Sequence, residues 1–163
     1  MMMDMEGILK HLEKHYYLVF KYKLDYYTLQ RKKVFFQTVY CLLSVDSPMQ
    51  QQKSIEDLFK RAYVGDSLLI DVLRFIEIPS WRDPAWTTYK AVRHNAIIHN
   101  SEIHFLYGKK DYWISHSLYG SSLLSDNLGN TQEFNSCRNL FDEARIDNKS
   151  LEEIWIDVIV DTC

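Results

Sequence analysis

Between about Asp4 and Leu43 the apolar and aromatic residues fall at helical spacing, and this periodicity constrains the fold more than any other feature. Ile8, Leu9, Leu12, Tyr16, Val19 and Phe20 form one stripe, and Leu29, Val34, Phe35 and Val39 continue it beyond a break near Asp25. The pattern predicts two helices or one long bent helix. Pro48 ends it, because proline disfavours helical backbone at the preceding Ser47. With five glycines and three prolines in 163 residues, the chain lacks the punctuation of a loop-rich all-β design. No internal repeat is visible.

Later segments carry helix-start chemistry. Ser54 is a candidate N-cap with Asp57 three residues on, and Gly65 is a stop. Asp66 is a candidate cap for LLIDVLRFIEI, which ends at Pro79. Asp83 followed by Pro84 predicts a helix that runs through AWTTYKAVRHNAIIHNSEIHFLYG to Gly108. Residues 109–133 mix aromatics with Gly, Ser, Asn and Asp and read as a loop with a short hairpin or short helices. A helix is expected over 135–146. Ser150 with Glu153 forms a capping box, although IWIDVIV also suits a strand. The expectation is a mainly α protein, a helix bundle with a less regular C-terminal third, folded as one domain over residues 1–163.

Residues 1–110 hold 16 basic and 12 acidic side chains, a net of +4, whereas residues 111–163 hold 3 and 10, a net of −7. A helical body of about 4–108 is thus followed by an acidic region of about 109–163, and such a region can screen a basic face. The overall charge of −3 is not that of a general nucleic-acid binder. Cys41, Cys137 and Cys163 are odd in number and lack CxxC spacing, which favours free thiols in a reducing cytoplasm. No signal-peptide h-region and no membrane-length apolar run is present, so a cytoplasmic location is expected.

The most concentrated chemistry lies in RHNAIIHN, residues 93–100. Asn95 and His99 share a helical face, while Arg93 and His99 point roughly 120° apart. A second copy across a twofold axis would bring such groups into one pocket. Arginine offers a rigid donor fork for phosphate oxygens, and histidine moves protons near neutral pH. RNA supplies its own nucleophile, the 2′-hydroxyl, so this pair is a sufficient kit for strand cleavage without a metal.

Arg93, the polar His94, the four residues NAII and His99 resemble the R-polar-x(n)-H motif of the HEPN superfamily. The resemblance covers the helical body, and only the motif carries specific identity. It implies an all-α bundle acting as a homodimeric, cofactor-free endoribonuclease in toxin–antitoxin or antiviral defence, with an antitoxin or defence-system partner. Its product would be a 2′,3′-cyclic phosphate. Arg93 and His99 carry over as the catalytic pair and His94 as the supporting polar residue; Asn95 joins them through the face it shares with His99. A branch of that family has Tyr two residues after the His. Here that position is Ser101, so modification there by a partner nucleotidyltransferase is not expected. The alternative is a catalytically inactive HEPN-like module that binds nucleotide or protein.

Two lesser patterns remain. His11 and His15 share a face in HLEKH but lack a third ligand, and a solvated helix face is the simpler reading, so no metal is expected. Arg31, Lys32 and Lys33, flanked by Tyr26, Tyr27, Phe35 and Phe36, could hold an RNA backbone with stacked bases, although such a run is more often a solvated helix edge.

Overall fold

A computed structural model describes residues 4–78 and 84–162. It corrects the expected fold: the chain is mixed α/β, with thirteen strands described and no helical bundle. The correction begins at Tyr16. There the first helix, α1 (Met5–His15), stops on a left-handed residue at φ 66°, and the next residues become β1 (Tyr17–Tyr22). The run YLVFKY fits either element. Val19 and Phe20 continue the helical stripe from Tyr16, but Leu18, Val19 and Phe20 are consecutive buried positions, a short apolar run that a buried strand accommodates equally. Aromatic and β-branched content decides for the strand.

The chain divides into two compact units, residues 1–83 and 84–163. In the first, β1, β2 (Asp25–Val34), β3 (Gln37–Leu43) and β4 (Gln50–Gln52) form an antiparallel meander in that order. There follow α2 (Ile55–Arg61), the small hairpin β5 (Tyr63–Val64) and β6 (Ser67–Leu68), α3 (Leu69–Val72), and a 3-10 turn at Leu73–Phe75. Glu77 then pairs antiparallel with Lys21 through two 2.7 Å backbone bonds, which places the end of the unit beside its first strand. Ile8 and Leu12 of α1, Leu58 and Phe59 of α2, and Leu18, Phe20, Leu29 and Leu42 of the sheet make the core.

The second unit repeats this order. After a 3-10 turn at Pro84–Thr87 come α4 (Tyr89–His99), β7 (Ile103–Tyr107), β8 (Lys110–His116), β9 (Ser122–Asp126) and β10 (Thr131–Phe134). Then come α5 (Cys137–Glu143), the hairpin β11 (Arg145–Ile146) and β12 (Lys149–Ser150), α6 (Leu151–Ile154), a 3-10 turn, and β13 (Ile159–Thr162) beside β7.

The correspondence reaches single side chains. Leu18 faces Leu29 and Leu42 across the first sheet as Ile103 faces Ile114 and Leu124 across the second. Phe20 stacks on Tyr27, and Phe105 on Tyr112, each pair with centroids 5.4 Å apart. The Gln50 side chain clasps the backbone of Tyr63 at both its N–H (2.7 Å) and its carbonyl (2.8 Å). Gln132 clasps Arg145 in the same way, at 3.2 and 2.7 Å. Ser54 and Ser136 cap α2 and α5, and each helix carries Leu-Phe followed by Ala, with Leu69 and Leu151 beyond. One fold is thus present twice, contrary to the absence of a visible repeat in the sequence.

The predicted helix over 84–108 is also corrected. Asp83 lies outside the described residues. Thr88 is the cap, its hydroxyl accepting from the Ala91 N–H at 3.3 Å, and left-handed Asn100 ends α4 at φ 55°. IHFLY then alternates as β7, with Ile103 and Phe105 buried. The Ser54 cap and the Ser150–Glu153 capping box are present as the sequence predicts. In place of an Asp66 cap, α3 begins after Leu68. No described helix is long and apolar enough to cross a membrane.

Candidate functional site

Helix α4 carries Arg93, His94, Asn95 and His99, and packing has assigned each a task within its own unit. The Arg93 guanidinium is largely buried and reaches the Asp142 carboxylate on α5 at 3.3 Å. His94 is buried at 1% exposure. Its ring lies 6.0 Å from that of His99, tilted by 59°. The half-buried Asn95 offers its carbonyl to the Asn100 N–H that ends the helix and to the Ser101 N–H at 3.4 Å. Thus His94 and His99 are brought together, while Arg93 is turned to α5. Ala96 is fully buried and the partly buried Ile97 packs against the same core.

Burial lowers the pKa of His99 below its ordinary value of 6.5. The unfolded chain therefore binds more protons than the folded one as pH falls below about 6.5, and the fold loses stability in that range. Above it the His99 contribution is fully present. Melting at pH 7.5 and pH 5.5 is expected to show this acid loss in the wild type and a smaller loss in His99→Gln. An equal loss in both would exclude His99 as a cause. His11 is also lowered, by burial first and then by His15, whose ring lies 4.6 Å away. Among the described residues no cluster could hold a metal.

A second polar system underlies α4 and α5. Burial pushes the Cys137 thiol up to about 11, with a hydrogen bond to Ser122 opposing the rise. Ser122, 1% exposed, lies 2.9 Å from His116 Nδ1, and His116 Nε2 lies 2.9 Å from the Ser101 carbonyl. A carbonyl only accepts, so Nε2 donates to it, and in the neutral ring Nδ1 accepts from the Ser122 hydroxyl. This resembles an oriented nucleophile–base pair, but Ser122 is closed to solvent and Cys137 is a neutral thiol. The chain of bonds ties α5, β9 and β8 to the end of α4. At the equivalent positions the first unit has Ile55, Tyr40 and Arg31. The sequence signal for this cluster, three residues far apart in the chain, was too dispersed to read.

On β7 and β8, His104 stacks on the Trp113 indole at 4.8 Å and 9°, with Nδ1 2.9 Å from Asp161 and Nε2 3.1 Å from Asp111. This fixes β13 to its neighbours.

Arg31, Lys32 and Lys33 lie on a strand, β2, and not on a helix edge. Arg31 Nε is buried without a hydrogen-bond partner among the described residues, Lys32 Nζ lies 3.6 Å from Met49 Sδ, and Lys33 is exposed. Val34 pairs with Gln37, so Phe35 and Phe36 are the whole loop of this hairpin. They are 93% and 104% exposed, whereas Tyr26 and Tyr27 are buried. Phe35 sits at φ 55°, a left-handed position that glycine or asparagine occupies at less cost. Beside them is an open cleft of about 330 Å³, lined by Val34, Phe35, Phe36, Gln37, Val39, Gln51 and Lys53. Its size is at the lower end of ligand sites, which run to roughly 300–1,000 Å³.

No protein-family model matches the chain, and neither a curated protein nor a solved structure matches it.

Proposed function

We propose that this protein binds single-stranded RNA through the β2–β3 hairpin. The observation that carries the reading is the pair of fully exposed phenyl rings at the tip of a hairpin whose first strand carries Arg31, Lys32 and Lys33 near its end. Every base has a face that stacks on an aromatic ring, so a Phe35–Phe36 tip holds bases without regard to sequence. Lys33, with Lys53 at the cleft, meets the phosphates. A bulky residue kept in left-handed backbone fits a contact that is worth its strain.

The test is fluorescence anisotropy of labelled oligouridylate at increasing salt. Affinity is expected to fall as salt rises, and Lys33→Ala and Lys53→Ala each to flatten the logarithmic slope by about 0.7, one phosphate contact apiece. A salt-independent affinity, or slopes unchanged in both variants, would refute the reading.

Strand cleavage by Arg93 and His99 in a homodimer is the second reading, and one observation favours it. Burial lowers the His99 pKa and so favours the neutral imidazole, the form a general base requires. Against it stand the Arg93–Asp142 contact and a fold that is not the bundle the motif implied. Labelled RNA incubated with EDTA-treated protein decides it: cleavage by Arg93→Ala and His99→Ala at the wild-type rate removes this reading. Either activity suits the cytoplasm, where Cys41 and Cys137 remain thiols.

A further inference from the structure

The cleft beside Phe35 and Phe36 has a polar relay in its wall. Lys32 pairs with Val39 and Cys41 with Gln51, so alternation along the strands puts Lys32, Val39, Cys41 and Gln51 on one face of the first sheet. Cys41 is fully buried, and burial raises its pKa, so the sulfur keeps its proton. Lys32 opposes that rise through its charge and a hydrogen bond to the sulfur. An ammonium only donates, so the sulfur accepts from Lys32, and the thiol proton is turned to Gln51 Oε1 at 3.7 Å. The amide is thereby oriented. Its carbonyl oxygen is engaged from below, and among the described residues its Nε2 makes no hydrogen bond. Gln51 and Lys53 line the cleft, so both offer donors to an occupant. Gln37 also lines it, but no partner fixes its amide, which can present either end. The sheet itself does not need the relay. At the positions that match Cys41 and Gln51 in register, the second unit has Leu123 and Glu133.

We infer that Gln51 makes this cleft selective for keto bases, uracil or guanine, over the amino bases cytosine and adenine. The inference rests on the RNA reading of the β2–β3 hairpin. Stacking on the phenyl rings holds any base, and the edge of the base is what the cleft reads. A keto oxygen such as uracil O4 accepts from Gln51 Nε2. Cytosine carries an amino donor at the same place on the ring, so two donors meet and one loses its partner. Uracil and cytosine have rings of one size, and the discrimination between them comes from this contact. Cys41 acts through Gln51 as a positioning residue. Without its thiol proton on Oε1, the amide turns freely and serves either base.

The test compares oligouridylate with oligocytidylate, each of about 6 nucleotides, on the full chain. The wild type is expected to bind uridylate about fivefold more tightly, the worth of one hydrogen bond. Gln51→Glu replaces the amide donor with a carboxylate that only accepts, and its preference is expected to invert to cytidylate. The added charge weakens both complexes alike, so the ratio is the readout. Gln51 is exposed, and its variants keep the core intact. Cys41→Ala is expected to bring the ratio to about one, and Cys41→Ser, which restores a donor, to recover it. A merely structural cysteine would change affinity for both strands and leave the ratio alone. Wild-type protein that binds both strands equally, or prefers cytidylate, overturns the inference and leaves RNA binding at the tip intact. A ratio unmoved in Gln51→Glu overturns it as well. Wild-type protein that binds neither strand removes the RNA reading beneath it.

Discussion

Replacing Phe35 with Gly and Phe36 with Ser is expected to abolish RNA binding while leaving the fold at least as stable. The two effects have separate origins. Each lost base stack costs about 1–3 kcal/mol, so the pair is expected to raise Kd by at least thirtyfold. Stability is set by the turn. Phe35 holds φ 55° in a two-residue loop, where a left-handed side chain costs roughly 1–2 kcal/mol. Glycine removes that strain and returns part of the gain through the greater freedom of its unfolded chain. Neither ring is buried, so no core contact is lost. Thermal melting and anisotropy on the same sample check the claim. A Tm lower by several degrees would show that the rings support the fold, and unchanged binding would remove them from the contact.

Ending the chain after Asn148 is expected to unfold the second unit. The acidic C-terminal region read from the sequence as a possible screen contains Leu151, Ile154 and Trp155, all buried in that unit's core. Trp155 donates its indole N–H to the Thr87 carbonyl at 2.9 Å and packs edge-on against Tyr89. Losing a single large core side chain costs about 2–5 kcal/mol, and three exceed most of the roughly 5–15 kcal/mol that holds a domain folded. The truncation also removes β13, which pairs with β7. Amide exchange reports the outcome: protection in β7 and β8 is expected to vanish. Slow exchange there after truncation would mean that the segment is dispensable, as a detachable screen would be.

The sequence was most legible where a short-range rule acts alone. Ser54 and the Ser150–Glu153 box stand where their capping chemistry puts them. RHNAI and its neighbours are helical because Thr88 and Asn100 bound a regular stretch, though the predicted end at Gly108 overshot into β7. Longer inferences failed because the two periods overlap in short apolar runs. Val19 and Phe20 extend the helical stripe of α1, and only the pairing of Tyr17–Tyr22 with β2 makes this run a strand. The repeat was hidden for a related reason. Its identical residues, such as Leu58-Phe59 and Leu140-Phe141, are few, and a core accepts any apolar group of suitable shape at the other positions.

The candidate site was legible in composition and not in exposure. Arg31, Lys32 and Lys33 with aromatic neighbours were visible, but nothing local distinguished Tyr26 and Tyr27, which are core, from Phe35 and Phe36, which face solvent. Likewise, the sequence placed Arg93 and His99 on one helix but held no sign of Asp142, which arrives from α5 to engage the arginine.

The pairing of each unit's final segment with its first strand bears on how the protein is made. A meander of neighbouring strands can zip as it emerges, but the Glu77–Lys21 and β13–β7 closures join residues far apart in the chain. Such distant closures carry a larger loop-closure cost and are slow to form. During synthesis the first unit has every strand it needs once Glu77 has left the ribosome, while the second waits for Val160 and Thr162. Translation therefore delivers the Phe35–Phe36 hairpin within a complete unit before the second unit has the last strand it needs.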